Sequence, residues 1–238
     1  MAGDARKRRI RPLEAWRAIR ALLRNPDDTG QVFRIIDALS GNSGERTFRR
    51  FRSDPTGARI LQERRSLLKT LGDLEALRAL PEGTLGRTYA EFVTREQISA
   101  DGLVAASQEG SERWDYGADR RLVGDRLRDM HDLWHVVTGY GRDLVGEAAL
   151  LAFSFAQVPN PGVGFIVAVA WLRAGAGGGM RGLIVEGWRR GRSAAWLPAK
   201  DWEALLRRPL EDVRAELRVG APPRYQAVRS SGAPQVAY

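Results

Sequence analysis

The chain reads as all-α, a single helical domain. Three observations carry that reading. Apolar residues recur at three- and four-residue spacing along most of its length. No alternating apolar and polar run is long enough to demand a sheet. Of the 238 residues, 43% are hydrophobic and 28% charged, the balance of an ordinary globular protein and not of a disordered one.

The helices follow in order. Pro12 to Arg24 sets Leu13, Trp16, Ile19, Leu22 and Leu23 at helical spacing, with arginine on the other face. Such a helix either packs on the core or lies on an anionic membrane. Thr29 to Leu39 is a second helix ending at Gly41, and Arg46 to Phe51 a short helical turn. Ser53 to Gly57 is a turn or a helix entry. Ala58 to Leu71 is helical through Ile60, Leu61, Leu67 and Leu68, and Leu74 to Leu80 continues in that style until Pro81-Glu82-Gly83. Thr84 caps a helix that runs to Val93. Arg120 to Val137 and Asp143 to Gln157 are longer helices, the second stopped by Pro159-Asn160-Pro161. Phe165 to Leu172 is wholly apolar and reads as a buried helix. Gly182 to Arg192, Asp201 to Leu206 and Leu210 to Leu217 complete the set. The organisation is a basic N-terminal helix over 1–28, a helical domain over 29–219, and a Pro-, Gly- and Ser-rich tail over 220–238 that is extended or flexible.

Composition narrows the chemistry. There is no cysteine, which excludes disulfides, thiolate metal sites and cysteine nucleophiles. The net charge of +9 comes almost wholly from arginine, since Lys7, Lys69 and Lys200 are the only lysines. That bias suits a GC-rich bacterial genome, and it also suits a basic face toward an anionic membrane or nucleic acid. No binding motif and no interleaved basic and aromatic stretch favours nucleic acid. The basic start is followed by no secretory apolar region, and Asp4, Glu14, Asp27 and Asp28 disfavour a cleaved mitochondrial presequence. The longest apolar run, Gly162 to Leu172, is far short of the roughly 20 residues that span a bilayer.

The chain's two histidines are His131 and His135. A spacing of four puts both imidazoles on one helix face, a turn apart, where both can reach one ion. Asp132 is a third ligand, a partner that orients an imidazole, or a general base. Glu147 lies twelve residues past His135. On one straight helix it would sit about 120° around the axis from His135, so the helix must break. Gly139 or Gly141 can take the left-handed conformation that ends it, and the next helix can then return antiparallel with Glu147 facing the histidines. The metal site is thus expected between two antiparallel helices, with His131, Asp132, His135 and Glu147 as ligands. Glu147 shares its side of the helix with Leu144, Leu150, Leu151 and Phe155, where an ionised carboxylate must be paired or metal-bound. The competing reading pairs Glu147 with Arg121, Arg126 or Arg128 and leaves the histidines as hydrogen-bonded core. Two histidines with one or two carboxylates suit Zn²⁺, Mn²⁺ or Fe²⁺.

The His-Asp-x-x-His motif followed after eleven residues by Glu resembles the signature of the coenzyme Q biosynthesis protein 4 family. Other stretches agree in order. Asp54-Pro55-Thr56-Gly57 with Ile60-Leu61 resembles its Asp-Pro-x-Gly-x-x-Ile-Leu segment. Pro81 to Tyr89 resembles its Pro-x-x-Thr-Leu-Gly-x-x-Tyr segment, and Asp201-Trp202-Glu203 with Pro209-Leu210 and Arg214 its C-terminal pattern. Arg65 stands where the family pattern leads us to expect proline. The resemblance covers roughly residues 30 to 225 and reads as a bacterial homologue. It implies a helical fold, a divalent metal, zinc ahead of iron or manganese, and a place in ubiquinone biosynthesis. It implies oxidative decarboxylation at C1 of a polyprenylated benzoate ring, with Asp132 and Glu147 as the catalytic carboxylates. The implied partners are the polyprenylated quinone precursor or another isoprenoid lipid, the membrane surface and other quinone biosynthesis proteins; a homodimer is allowed. The implied location is the bacterial cytoplasm, peripheral to the inner membrane. Leu151, Phe155, Phe165, Ile166, Val169 and Trp171 are candidates to line a groove for the isoprenoid tail, or are plain core.

Two other readings compete. One is a non-catalytic prenyl-lipid scaffold whose ion is structural, which differs from an enzyme in having no exchangeable coordination position. The other is a metallohydrolase, disfavoured by Asp132 where such helices carry Glu.

Overall fold

Pro12 fixes the backbone at the first turn of α1 (Pro12–Arg24), and α2 (Thr29–Leu39) folds back on it. The computed structural model describes residues 9–98, 117–175 and 179–229. Next come α3 (Ser43–Ser53), α4 (Pro55–Gln62), α5 (Leu67–Gly72), α6 (Leu74–Arg78) and α7 (Leu85–Arg95). Then follow α8 (Ala118–Asp129), α9 (His131–Thr138), α10 (Leu144–Gln157), α11 (Pro161–Arg173) and α12 (Met180–Ser193). A 3-10 turn at Leu197–Ala199 leads to α13 (Trp202–Leu205) and α14 (Leu210–Leu217). Among the described residues there is no strand, only an isolated bridge between Thr84 and Pro209. The fold is all-α, as its periodicity predicts. No helix among the described residues is long and apolar enough to cross a membrane.

The core has one large cluster and smaller ones. The large cluster joins α5, α6, α7, α9, α10, α13 and α14, with Leu85, Leu133, Phe153, Trp202 and Leu217 fully buried. Burying side chains of this size contributes about 1.5–3 kcal/mol each. α9 packs against α7, α8, α10 and α14. α12 lies tightly against α10, because Gly187 and Gly191 carry no side chain where a Cβ would strike the carbonyls of Ala149 and Phe153. A second cluster joins Ala15, Ala18 and Ile19 of α1, Ile35 and Ala38 of α2, and Ile166 of α11.

Several elements differ from expectation for visible reasons. The helix expected over Ala58–Leu71 is two, because Arg64 takes a left-handed conformation (φ 49) and turns the chain. The helix expected over Arg120–Val137 breaks at the buried Met130. Asn160, which follows the stop of α10, also starts α11: its side chain accepts from the Gly162 and Val163 amides. α11 is only half buried, with Ile166 inside but Trp171 and Leu172 exposed at 39% and 67%. Its apolar length suggests a helix buried throughout, but its second half is only partly covered: Val169 packs on the cluster of α1 and α2, and Val167 and Ala170 pack on Ala148, Ala152 and Ile184. The segment 219–229 is extended, crosses the end of α9 and reaches α7, where Arg229 pairs with the buried Glu96. Residues 230–238 lie outside the described residues.

Three of the motif stretches acquire physical roles. Asp54 caps α4 by accepting from the Thr56 and Gly57 amides. Leu85 and Gly86 donate their amides to the carbonyls of Arg208 and Leu206, and Leu210 donates to Gly83, which locks the start of α7 to the C-terminal helices. In Asp201-Trp202-Glu203 the indole is buried, Asp201 takes the fork of Arg65, and Glu203 takes the fork of the buried Arg126.

Candidate metal centre

α9 carries His131, Asp132 and His135 within a turn and a half, and ends at Gly139 in the left-handed conformation (φ 77). The chain turns through Tyr140 to Arg142, and Asp143 caps α10 by accepting from the Val145 and Gly146 amides. Glu147 stands one turn inside α10. The glycine break therefore brings together the residues that one straight helix would separate.

Glu147 meets both histidines across the turn, and Asp132 forms a group with the same two histidines. Nε2 of His135 lies 3.3 Å from Oε1 of Glu147, and Nε2 of His131 lies 3.6 Å from Oε2. The imidazoles stand edge to face with centroids 4.9 Å apart. One ligand atom from each of His131, Asp132 and His135 falls within 4.8 Å of the others. Both carboxylates thus reach the same imidazole pair. His135 and Asp132 are buried, whereas the side chains of His131 and Glu147 keep 28% and 31% exposure. The cluster is closed on one side and open on the other.

His135 is the most constrained member. Its Nδ1 lies 2.8 Å from the carbonyl of Tyr140, and Phe92 of α7 stacks on its ring at 5.7 Å. With the Nδ1 proton on that carbonyl, Nε2 keeps its lone pair, the tautomer a metal ligand needs. Nε2 is buried and makes no aligned hydrogen bond despite the nearby carboxylate. A buried polar atom left so calls for an explanation.

The electrostatics are strongly coupled. Burial works to lower the pKa of His135, but the charges of Glu147 and Asp132 and the Tyr140 carbonyl raise it above the ordinary imidazole value. Burial works to raise Glu147, and the two imidazoles outweigh it and hold the carboxyl well below its usual range. Burial, with the charges of Asp132 and Asp129, pushes the Tyr89 phenol up.

Of the arginines weighed as alternative partners for Glu147, Arg126 and Arg128 have other roles. Arg126 pairs with Glu203, and Arg128 with Asp125 and Asp129. The arginine beside Glu147 is Arg142, with Nε 3.7 Å from Oε1. Spacing in the sequence gives no role to Arg142 and no sign of Tyr225. The phenol donates to Asp143 Oδ2 at 2.7 Å and accepts from the Gly141 amide at 2.8 Å, while the backbone of Val228 pairs with Leu144 and Asp143. Nothing in a Pro- and Gly-rich stretch signals such a contact.

Comparison with known proteins agrees with the fold. The family model for Coenzyme Q (ubiquinone) biosynthesis protein Coq4 matches residues 12–223. The chain is 36% identical over 179 residues to the mitochondrial ubiquinone biosynthesis protein coq4 of Talaromyces stipitatus, covering 74% of this chain and 60% of that one. It is 34% identical over 179 residues to the coq-4 protein of Neurospora crassa, covering 74% of this chain and 50% of that one. The match thus spans only about three fifths of the first of these relatives and half of the second. A crystal structure from Nostoc punctiforme PCC 73102, of a protein put forward as a ubiquinone biosynthesis protein, has the same fold. It matches with a TM-score of 0.65 at 23% identity, over 90% of this chain and 100% of that one. The chain therefore belongs to the Coenzyme Q (ubiquinone) biosynthesis protein Coq4 family.

Proposed function

We propose that His131, Asp132, His135 and Glu147 hold one divalent metal ion, and that the chain removes the C1 carboxylate of a polyprenylated benzoate ring and puts a hydroxyl in its place. The observation that carries this is the buried Nε2 of His135, on a ring whose Nδ1 is tied to the Tyr140 carbonyl, with no aligned hydrogen-bond partner and with Glu147, Asp132 and His131 around it. The donor set fits zinc, iron or manganese, with zinc favoured by the family resemblance.

When bound, the ion supplies Lewis-acid charge beside the ring carboxylate and open coordination positions. The chain's own residues set the geometry. His135 is fixed by Tyr140 and Phe92, whereas His131 and Glu147 line the open side. Asp132 and Glu147 hold the ligand charge and, with their imidazole partners, take up or return the ring hydroxyl proton. The carboxylate leaves as carbon dioxide, the ring carbon gains an oxygen from water, and the two electrons and two protons released pass to dioxygen, which leaves as hydrogen peroxide.

The isoprenoid tail would follow α10. Leu151 and Phe155 lie one and two turns beyond Glu147, and half-buried Leu151, Phe165 and Val169 join the cluster of α1 and α2. α1 presents its other side outward. Leu13, Trp16 and Leu23 are exposed at 73%, 56% and 40%, among the exposed Arg17, Arg20 and Arg24. That face suits an anionic bilayer surface, which would place the tail track next to the lipid.

The test is a metal assay joined to a reaction. The protein is purified anaerobically, its metal is quantified, and a prenylated 4-hydroxybenzoate is supplied with oxygen while carbon dioxide is followed. Metal-dependent release lost in His135→Ala supports the enzyme. Bound metal and retained prenyl lipid without turnover would move the reading to a scaffold that organises other quinone biosynthesis proteins.

A further inference from the structure

Arg142 lies in the turn between α9 and α10, at the open side of the cluster. Its side chain is 31% exposed and its Nε is 3.7 Å from Oε1 of Glu147. Nε is buried without a hydrogen-bond partner, and among the described residues neither terminal nitrogen donates to any group. The backbone on either side of it is fixed: Gly141 donates its amide to Tyr225, and Asp143 caps α10 and accepts from the Tyr225 phenol. A guanidinium carried on a fixed turn, with an unused fork beside this cluster, is an arrangement for a planar oxyanion.

Charge counting leads the same way. A divalent ion would be matched by Asp132 and Glu147, leaving the charge of Arg142 over. The loaded cluster would then be cationic on its open side, so a ligand carrying one negative group fits better than a neutral one. Once Glu147 is committed to an ion, its hold on Arg142 weakens and the fork turns outward to the incoming group.

We propose that Arg142 receives the ring carboxylate of the substrate and is this chain's selector for the carboxylated precursor over its decarboxylated product. The inference rests on the reading of the cluster as a metal site in a decarboxylating enzyme. It makes Arg142 a specificity residue that holds the leaving group until it departs as neutral carbon dioxide, after which nothing anionic keeps the product in place.

Binding is measured by calorimetry on the full chain loaded with zinc, using 3-prenyl-4-hydroxybenzoate and its methyl ester, which keeps the ring, phenol and prenyl group but has no charge. Wild type is expected to prefer the acid. Arg142→Met is expected to bind the acid about tenfold or more weakly, as loss of a hydrogen-bonded charge partner implies. It should leave ester affinity and zinc content unchanged, and Arg142→Lys should fall between. Equal affinity of wild type for acid and ester, or an Arg142→Met variant that binds the acid like wild type with full zinc, overturns the role of Arg142 alone. A chain that takes up none of zinc, iron and manganese overturns the metal reading and this inference with it.

Discussion

The carbonyl of Tyr140 sits 2.8 Å from Nδ1 of His135, so the turn that ends α9 also fixes the imidazole that α9 carries. Five residues of sequence thus do two jobs. Gly139 reverses the chain, and the carbonyl next to it accepts from Nδ1, which turns Nε2 toward Glu147 at 3.3 Å.

The first prediction follows from that pairing. Glu147→Ala removes one ligand while Asp132 and His131 still flank His135. Metal retention should weaken, and the helical circular dichroism should stay close to wild type, because Glu147 is an open-side residue and not part of the apolar core. Elemental analysis after gel filtration checks it. Unchanged metal content would remove Glu147 from the ligand set. Asp132→Asn should likewise keep the fold and lose function, and full complementation of a quinone-deficient strain by that variant would end a catalytic role for Asp132.

A second prediction concerns the C-terminal segment. Tyr225→Phe deletes one hydroxyl that bridges Asp143 and the Gly141 amide. Loss of these bonds in a partly buried place should cost about 1–3 kcal/mol in chemical denaturation. Gly139→Ala should cost more than about 1 kcal/mol, because its φ of 77 is unfavourable to alanine and a Cβ would sit 2.5 Å from Pro222. Both variants should also hold metal less tightly, since they loosen the turn that aims Glu147 and His135.

Glu203 tests the buried charge of Arg126, whose side chain is 1% exposed and bonds to both oxygens of Glu203. Glu203→Ala leaves that guanidinium buried with only the Arg65 carbonyl as a partner in this bond network. Breaking one half of such a pair costs about 3–5 kcal/mol. Urea denaturation should show a loss of that order. A change under about 1 kcal/mol would mean that water reaches Arg126.

How much of this could be read in the sequence depended on distance along the chain. Local rules located the helices, because apolar spacing and caps such as Asp54, Thr84 and Asp143 act within one turn. The approach of Glu147 to the two histidines was legible for the same reason: two histidines four apart, a glycine, and a carboxylate one turn into the next helix. Local rules did not reveal the break at Arg64, where a non-glycine residue takes a positive φ and Arg65 is committed to Asp201. Nor did they reveal Tyr225, which is far from Asp143 in sequence and lies in a stretch whose composition suggests a tail. They overstated the burial of α11, since an apolar sequence says nothing of how many neighbours arrive to cover it.

Asp201 gives a pH dependence. Burial works to raise its pKa, but the Arg65 fork, the Ala204 amide and Arg59 outweigh burial and hold it below the ordinary carboxylate value. A folded-state pKa below the unfolded one stabilises above the unfolded value, about 3.9, and that stabilisation is lost as pH falls through the lowered folded value. Asp201→Asn should therefore be less stable than wild type at neutral pH, and the difference should shrink in acid. Thermal melts from neutral to acid pH check it. A constant difference at every pH would mean that packing, not charge, makes the contribution.

The outward face of α1 gives the last prediction. Ala15, Ala18 and Ile19 are buried against α2 and α11, so the helix is already docked without Leu13, Trp16 and Leu23. Leu13→Glu with Trp16→Glu should then leave the melting temperature nearly unchanged. If the face meets lipid, each large apolar side chain contributes up to about 1.5–3 kcal/mol of partition energy, and the double variant should bind anionic vesicles at least about tenfold more weakly. Arg17, Arg20 and Arg24 add attraction to anionic headgroups, so wild-type binding should fall with rising salt and with neutral lipid. Co-sedimentation with vesicles of defined anionic content measures all of these. Equal binding by wild type and the double variant would take α1 out of the membrane contact and leave its exposed apolar face to a protein partner.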